Sequence, residues 1–316
     1  MIASAKVKKL AENIRPHSES MVELKTTGNI SQVKYMTNTP IMTIRKLDKD
    51  NYMELKTGKI KQFKHTENRI ESKTNLKQTF SRLRDIINTN VTEPDNCKFI
   101  TLTYKENMTN PNQLYNDFRK FNMRLQYYLK ANDMPKYEYI VAIEPQHRGA
   151  WHAHFLAIFE SKAPFIPNDT IAEIWGYGFT KTKALKNVDN IGAYLSAYLS
   201  DMEISDMDFN QIKSNLKNGI KEIKSDGETK AIIKGARFQM YPTGIRVYRT
   251  SRGIKQPTIE KLTNQEAMEK VSNSVLTYEK TIQVIGEDEN VINTINYRHF
   301  NGLRKVKVGA ENEKNC

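Results

Sequence analysis

The chain has 316 residues and a mean hydropathy of -0.66, enough for one large or two small domains and a sizeable core, with no apolar run long enough to span a membrane. Its net charge of +13 and pI near 9.4 are the electrostatic footprint of a nucleic-acid-binding protein, with a merely soluble basic surface as the ordinary alternative. Two cysteines, Cys97 and Cys316, exclude a disulfide framework or a cysteine-based zinc site, and the basic first residues, Met1 to Arg15, lack the apolar core of a secretory signal. A cytoplasmic location is expected.

Residues 1–65 are basic, polar and irregular, and no fold is assigned to them; a basic arm and short strands are both open. A helix is predicted from Asn68 to Asn88, where Leu76, Phe80, Leu83 and Ile87 form one stripe. Arg82 and Arg84 lie off that stripe, as phosphate contacts or as a solvated face. Lys98 to Tyr104 reads as a strand. Gln113 to Lys130 reads as a helix with Leu114, Phe118, Phe121, Leu125 and Tyr128 on one side.

Tyr139 to Glu144 and Trp151 to Phe159 read as two strands joined by a turn at Pro145 to Ala150. Alternation puts His152 and His154 on one face of the second strand. Two imidazoles side by side suit a divalent metal, and a hairpin returns Glu144 beside them. Satisfied core histidines are the ordinary alternative, and His147 in the turn reads as a solvated loop residue. A short helix is expected from Asn168 or Asp169 to Trp175, a strand from Phe179 to Leu185, and a helix capped by Asp189 and running to about Met202. Tyr194 and Tyr198 are four apart on that helix and share a face, as a packed aromatic stripe or as a nucleophile pair. A tyrosine hydroxyl, with a pKa near 10, needs help to attack at neutral pH.

The order strand, helix, strand, strand, helix, strand, helix implies an α+β fold. It is expected to have a ferredoxin-like or RRM-like antiparallel sheet, helices on one face, and basic extensions at both ends. Residues 205–228 read as a helical or flexible connector. Residues 229–257 interleave Lys234, Arg237, Arg246, Arg249, Arg252 and Lys255 with Phe238, Tyr241 and Tyr248, a composition suited to phosphate contact and base stacking. Val275 to Ile285 and Val291 to Tyr297 read as a hairpin. The expected divisions are 1–65, 66–204, 205–260 and 261–316. No Walker-type phosphate loop occurs.

FITLTY, WHAHF and YLSAY stand in the order of the three motifs of HUH endonucleases. The phrases AIEPQHRGAWHAHFLAIF, IWGYGFTKTKAL, VDNIGAYLSAYLSDM and YPTGIRVYRTSRGIK give the chain, over roughly residues 66–260, a resemblance to two-tyrosine rolling-circle replication initiators of bacterial plasmids and related mobile elements. The resemblance implies metal-dependent DNA nicking through a 5′-phosphotyrosine, which leaves a 3′-OH primer and permits later rejoining. It implies Mg or Mn on His152, His154 and Glu144, Tyr198 for the first cut, and Tyr194 for the second transfer or as an assisting group. It also implies a replication origin as partner, with a host helicase and polymerase. Many relatives carry a lysine three residues after a tyrosine; here those positions are Ala197 and Asp201. A relaxase or single-strand transposase of the same chemistry, a non-catalytic DNA-binding regulator and a zinc hydrolase are the competing readings.

Overall fold

A computed structural model describes residues 6–39, 42–63, 73–185, 188, 190–203, 220–225, 228–242, 244–286 and 289–304. The chain divides into two compact units. One combines residues 1–65 with 257–316, and the other is the continuous stretch 66–256. The segments assigned separately to the two ends of the sequence therefore lie in one unit.

In that first unit the strands are β1 (Lys6–Lys9), β2 (Met21–Thr27), β3 (Ile30–Met36), β4 (Ile44–Lys46), β5 (Asn51–Glu54) and β6 (Ile60–Gln62). The N-terminal region is thus strand-forming rather than a loose arm. Its later elements are β15 (Thr258–Thr263), α5 (Asn264–Lys270), β16 (Val275–Ile285) and β17 (Val291–Asn301). Six strands form one sheet in the order β1-β16-β17-β3-β2-β15, and β4, β5 and β6 form another. Alternation in β2 turns Val22 and Leu24 inward onto Val33, Phe300 and the α5 residue Ala267. The expected C-terminal hairpin is present, with β17 extending to Asn301.

The second unit begins with α1 (Lys73–Asn90), whose predicted stripe of Leu76, Phe80, Leu83 and Ile87 is buried; the start expected at residue 68 lies outside the described residues. There follow β7 (Cys97–Tyr104), α2 (Pro111–Ala131), β8 (Tyr137–Pro145), β9 (Trp151–Phe159), α3 (Asn168–Trp175), β10 (Gly178–Lys183) and α4 (Ile191–Ser200). After them come β11 (Met202–Glu203), β12 (Ile220–Ser225), β13 (Glu228–Ile233) and β14 (Tyr248–Thr250). The central sheet runs β10-β7-β9-β8-β14, antiparallel throughout. Its first four strands have the order of a ferredoxin-like sheet, so the chain is α+β as expected. The fifth strand, β14, comes from the basic segment and pairs Tyr248 with Ala142.

The helices divide between the two faces, rather than lying on one. Phe118 and Phe121 of α2 meet Phe155 of β9 at ring separations of 5.5 and 5.6 Å. Trp175 of α3, fully buried, packs on Phe121 and Tyr104. On the other face, Tyr198 of α4 meets Phe99 and His154, and α1 packs along α4. The difference follows from composition: α4, IGAYLSAYLS, is apolar on more than one side and has both the sheet and α1 to cover it.

The connector expected at 205–228 is instead part strand. β12 and β13 pair as a hairpin, and β11 joins β13; residues 204–219 lie outside the described set. Asp189, the expected cap of α4, also lies outside it. Asn190 caps the helix, its Oδ1 accepting from Ala193 N at 3.0 Å.

The seam between α1 and α4 is built on Gly192. Buried Asn88 accepts from Gly192 N at 2.7 Å and donates to Asn190 Oδ1 at 3.1 Å. A Cβ on Gly192 would stand 2.3 Å from Arg84 O and 2.7 Å from Asn88 Oδ1. Gly192→Ala should therefore push α4 off its seat and cost about 1–3 kcal/mol, read as a lower urea midpoint of tryptophan fluorescence. An unchanged midpoint would mean that the seam gives freely.

Candidate functional site

The hairpin of β8 and β9 sets the site by register. Glu144 pairs with His152, and Ala142 pairs with His154. Opposed residues of an antiparallel pair share a face, so Glu144, His152 and His154 project together, as their spacing predicted. The turn between the strands closes through Gln146 N to Ala150 O at 2.7 Å, with Gly149 at φ +82°, a conformation that suits glycine. His147 is exposed in that turn. The opposite face of β9 sends Phe155 into the core, which holds the histidine face in place.

His154 Nε2 lies 2.5 Å from Glu144 Oε2, and His154 Nδ1 lies 3.3 Å from Thr101 Oγ1 on β7. The His154 ring stacks on Phe99 at 5.6 Å. Arg237, in a 3-10 turn over Ala236–Met240, donates from Nη1 to Glu144 Oε1 and from Nε to Asp201 O at 2.8 Å. Burial pushes the Glu144 carboxyl up, but His154 and Arg237 beside it pull harder, and its pKa ends below the usual range. Burial brings His152 down to about 4 against the opposing pull of Glu144, so the ring is neutral at neutral pH.

The donor types suit a divalent ion: two imidazoles and an ionised carboxylate, with His152 Nε2 buried and without a hydrogen-bond partner among the described residues. The arrangement is closed, however. Two ligands of one ion stand about 3 Å apart, and His154 and Glu144 are nearer, bonded to each other. Among the described residues, no group of three or more His, Cys, Asp or Glu is spaced to hold a metal.

The tyrosines arrive from α4. Tyr194 Oη and Tyr198 Oη are 3.0 Å apart, with rings 5.2 Å apart in a T-shaped arrangement. Tyr198 lies 6.5 Å from the His154 ring and 6.2 Å from Phe99. The helix is tied to the sheet at its C-terminal end. Tyr241 Oη shares its single proton between Leu199 O at 2.9 Å and Ile143 O at 3.0 Å, and Asp201 Oδ1 accepts from Gly235 N at 2.8 Å. The structure thus brings all five sequence-chosen side chains, from β8, β9 and α4, to one face of one sheet.

The basic segment behaves less uniformly. Lys234, Arg246, Arg249, Arg252 and Lys255 are exposed. Arg237 is not among them: it is 8% exposed and paired with Glu144, inside the site instead of on a phosphate-facing surface. Its position in a tight turn anchored by Asp201 accounts for this. Arg249 stands 3.8 Å over the Tyr115 ring of α2. Its partner across the ladder is Val141, so it lies on the face away from the histidines.

Sequence reasoning misses two partners. Arg237 sits in a basic run, which predicts a surface position. Lys183 reads only as part of a strand, yet its Nζ donates to Tyr198 Oη at 2.9 Å. The available signal was alternation: Phe179, Lys181 and Lys183 share a face of β10, and the register of β10 on β7 puts Lys181 opposite Thr101.

No helix among the described residues is long and apolar enough to cross a membrane. No curated protein matches the chain, and no solved structure does. Residues 97–203 match the model of the family described as Replication-associated protein ORF2. That stretch contains Glu144, His152, His154, Tyr194 and Tyr198, and the match supports a Rep-type replication initiator, with DNA as its partner.

Proposed function

We propose that the chain is an HUH endonuclease that initiates rolling-circle replication by nicking one strand at an origin. The observation that carries this is the meeting of a Tyr194–Tyr198 pair with His152, His154 and Glu144 on one sheet face. With the His154–Glu144 bond opened, His152, His154 and Glu144 would hold a divalent ion, Mg or Mn, which when bound would polarise the scissile phosphate and stabilise its developing charge.

The phenol oxygen of Tyr198 attacks the phosphorus. The bond from phosphorus to the 3′ oxygen breaks, leaving a 5′-phosphotyrosine and a 3′-OH that primes a polymerase. The linkage conserves the bond, so the strand can later be rejoined. Tyr194, one helical turn away, suits a second transfer while the first adduct is still in place. Unwinding falls to a separate, host-supplied helicase. A relaxase or single-strand transposase would use the same chemistry. A second reading, a DNA-binding regulator without catalysis, is favoured by the engagement of both Glu144 oxygens by His154 and Arg237.

The deciding experiment incubates the purified protein with supercoiled DNA of the replicon that encodes it, with and without manganese. A metal-dependent, protein-linked 5′ end after denaturation supports nicking. Tight binding by folded protein with no adduct supports the regulator.

The exposed arginines are expected to carry part of the DNA affinity. Arg246→Ala and Arg249→Ala should each weaken binding and reduce the slope of log K against log salt by about 0.7–0.9 if each meets one phosphate. A salt titration by fluorescence anisotropy reads this. An unchanged slope for Arg249→Ala alone would confine the DNA path to the histidine face.

A further inference from the structure

We infer that Lys183 is a catalytic residue of this nicking site: its ammonium, placed on the Tyr198 hydroxyl oxygen, stabilises the charge that oxygen carries during attack and assigns the first transfer to Tyr198. The inference rests on the nicking reading and adds to it a residue and a choice between the tyrosines.

A phenol is a weak nucleophile at neutral pH, and its oxygen needs a fixed positive neighbour as its proton leaves. The tyrosine helix supplies none, since α4 reads IGAYLSAYLS without a charged residue. The neighbour comes from the sheet. Lys183 is the last residue of β10 and pairs with Phe99 of β7. Phe99 stacks on His154 and touches the Tyr198 ring, so the register that sets Phe99 also sets Lys183. The lysine is half-buried, its Nζ 2.9 Å from Tyr198 Oη and 5.3 Å from the Tyr198 ring centroid. A partly desolvated ammonium is a stronger electrostatic partner than one in bulk water.

Among the described residues, the groups facing Tyr198 are Lys183 from β10, His154 and Phe99 from the sheet, and Tyr194 from its own helix, whose Oη is 3.0 Å from Tyr198 Oη. The ammonium contacts the oxygen of Tyr198 directly, which is why the first cut falls to that residue.

In the step, an electron pair of Tyr198 Oη forms the bond to phosphorus as the bond from phosphorus to the 3′ oxygen breaks. The phenolic proton passes to water, and the departing 3′ oxygen takes a proton from water. Lys183 stays an ammonium throughout and is not consumed.

The test uses the full chain with tiled single-stranded oligonucleotides covering the replicon that encodes it, in Mn²⁺, under single-turnover conditions. Lys183→Met should slow adduct formation by about 100-fold, the scale of losing one fixed donor at a developing charge. Lys183→Arg, which keeps the charge, should recover most of the rate. Mass spectrometry should map the wild-type adduct to Tyr198. A ¹³Cζ-tyrosine NMR spectrum at neutral pH, without DNA, gives an independent reading. The Tyr198 resonance, identified by its loss in Tyr198→Phe, should move in Lys183→Met.

A wild-type adduct on Tyr194, or an adduct rate unchanged in Lys183→Met, overturns the assignment and leaves the nicking reading intact. An unmoved Tyr198 resonance overturns the contact itself. If Lys183→Met does not fold, the adduct map and the Lys183→Arg rate still decide, since inactive but folded Lys183→Arg also overturns a role for charge. No wild-type adduct on any oligonucleotide overturns the nicking reading, and this assignment with it.

Discussion

Tyr198→Phe is expected to abolish the first covalent protein–DNA adduct and leave DNA affinity nearly unchanged. Phenylalanine keeps the ring that packs on Phe99 and faces His154, so the helix keeps its seat. The lost hydroxyl bonds Lys183 and Tyr194, a cost of about 1–2 kcal/mol in stability. The cost to chemistry is of another order, because the atom proposed to attack is gone. The rate at that position should fall on the order of 10⁴-fold or more. Quantifying adduct on denaturing gels, beside anisotropy for affinity, separates the two effects. Normal adduct formation in this variant would pass the first cut to Tyr194.

Glu144→Ala should produce the largest loss of stability among the site variants. The carboxylate is 5% exposed and holds two groups at once, the Arg237 guanidinium and the His154 imidazole. Taking it away breaks a buried ion pair from one side, which costs about 3–5 kcal/mol. Arg237→Met should cost less, because the buried carboxylate it leaves behind keeps its bond to His154. Urea unfolding read by tryptophan fluorescence suits the comparison: both tryptophans, Trp151 and Trp175, lie in the unit that holds the site. A loss under about 1 kcal/mol would mean that Arg237 swings out through the adjoining pocket lined by Gln146, His147 and Arg148, and that the charge is not trapped.

The sheet core was legible in the sequence because two periods are written plainly there. Alternation over Trp151 to Phe159 and the stripes of α1 and α2 fix which side chains turn inward, and local pattern suffices for that. The Glu144–His152 pairing was legible because a short turn determines hairpin register. What was not legible depends on contacts between distant segments. Lys183 and Tyr198 are separated by 15 residues, and Arg237 and Glu144 by 93; only register and docking bring them together. The N-terminal strands were illegible for the same reason. β2 and β3 pair with each other across a short turn, but β1 and β3 find their other partners in β16 and β17, and β2 finds its in β15, all at the far end of the chain.

That pairing has a consequence for the order in which the protein comes into being. Ile14 N reaches Thr281 Oγ1 across 267 residues, and β3 lies against β17. Translation is directional, so β2 and β3 leave the ribosome with one edge bare and wait for strands encoded at the far end of the message. The continuous unit of residues 66–256 is completed during that wait and can fold first, domain by domain. A message cut short after residue 256 would thus yield the unit of residues 66–256 joined to unfinished strands, whose open edges invite pairing with other chains.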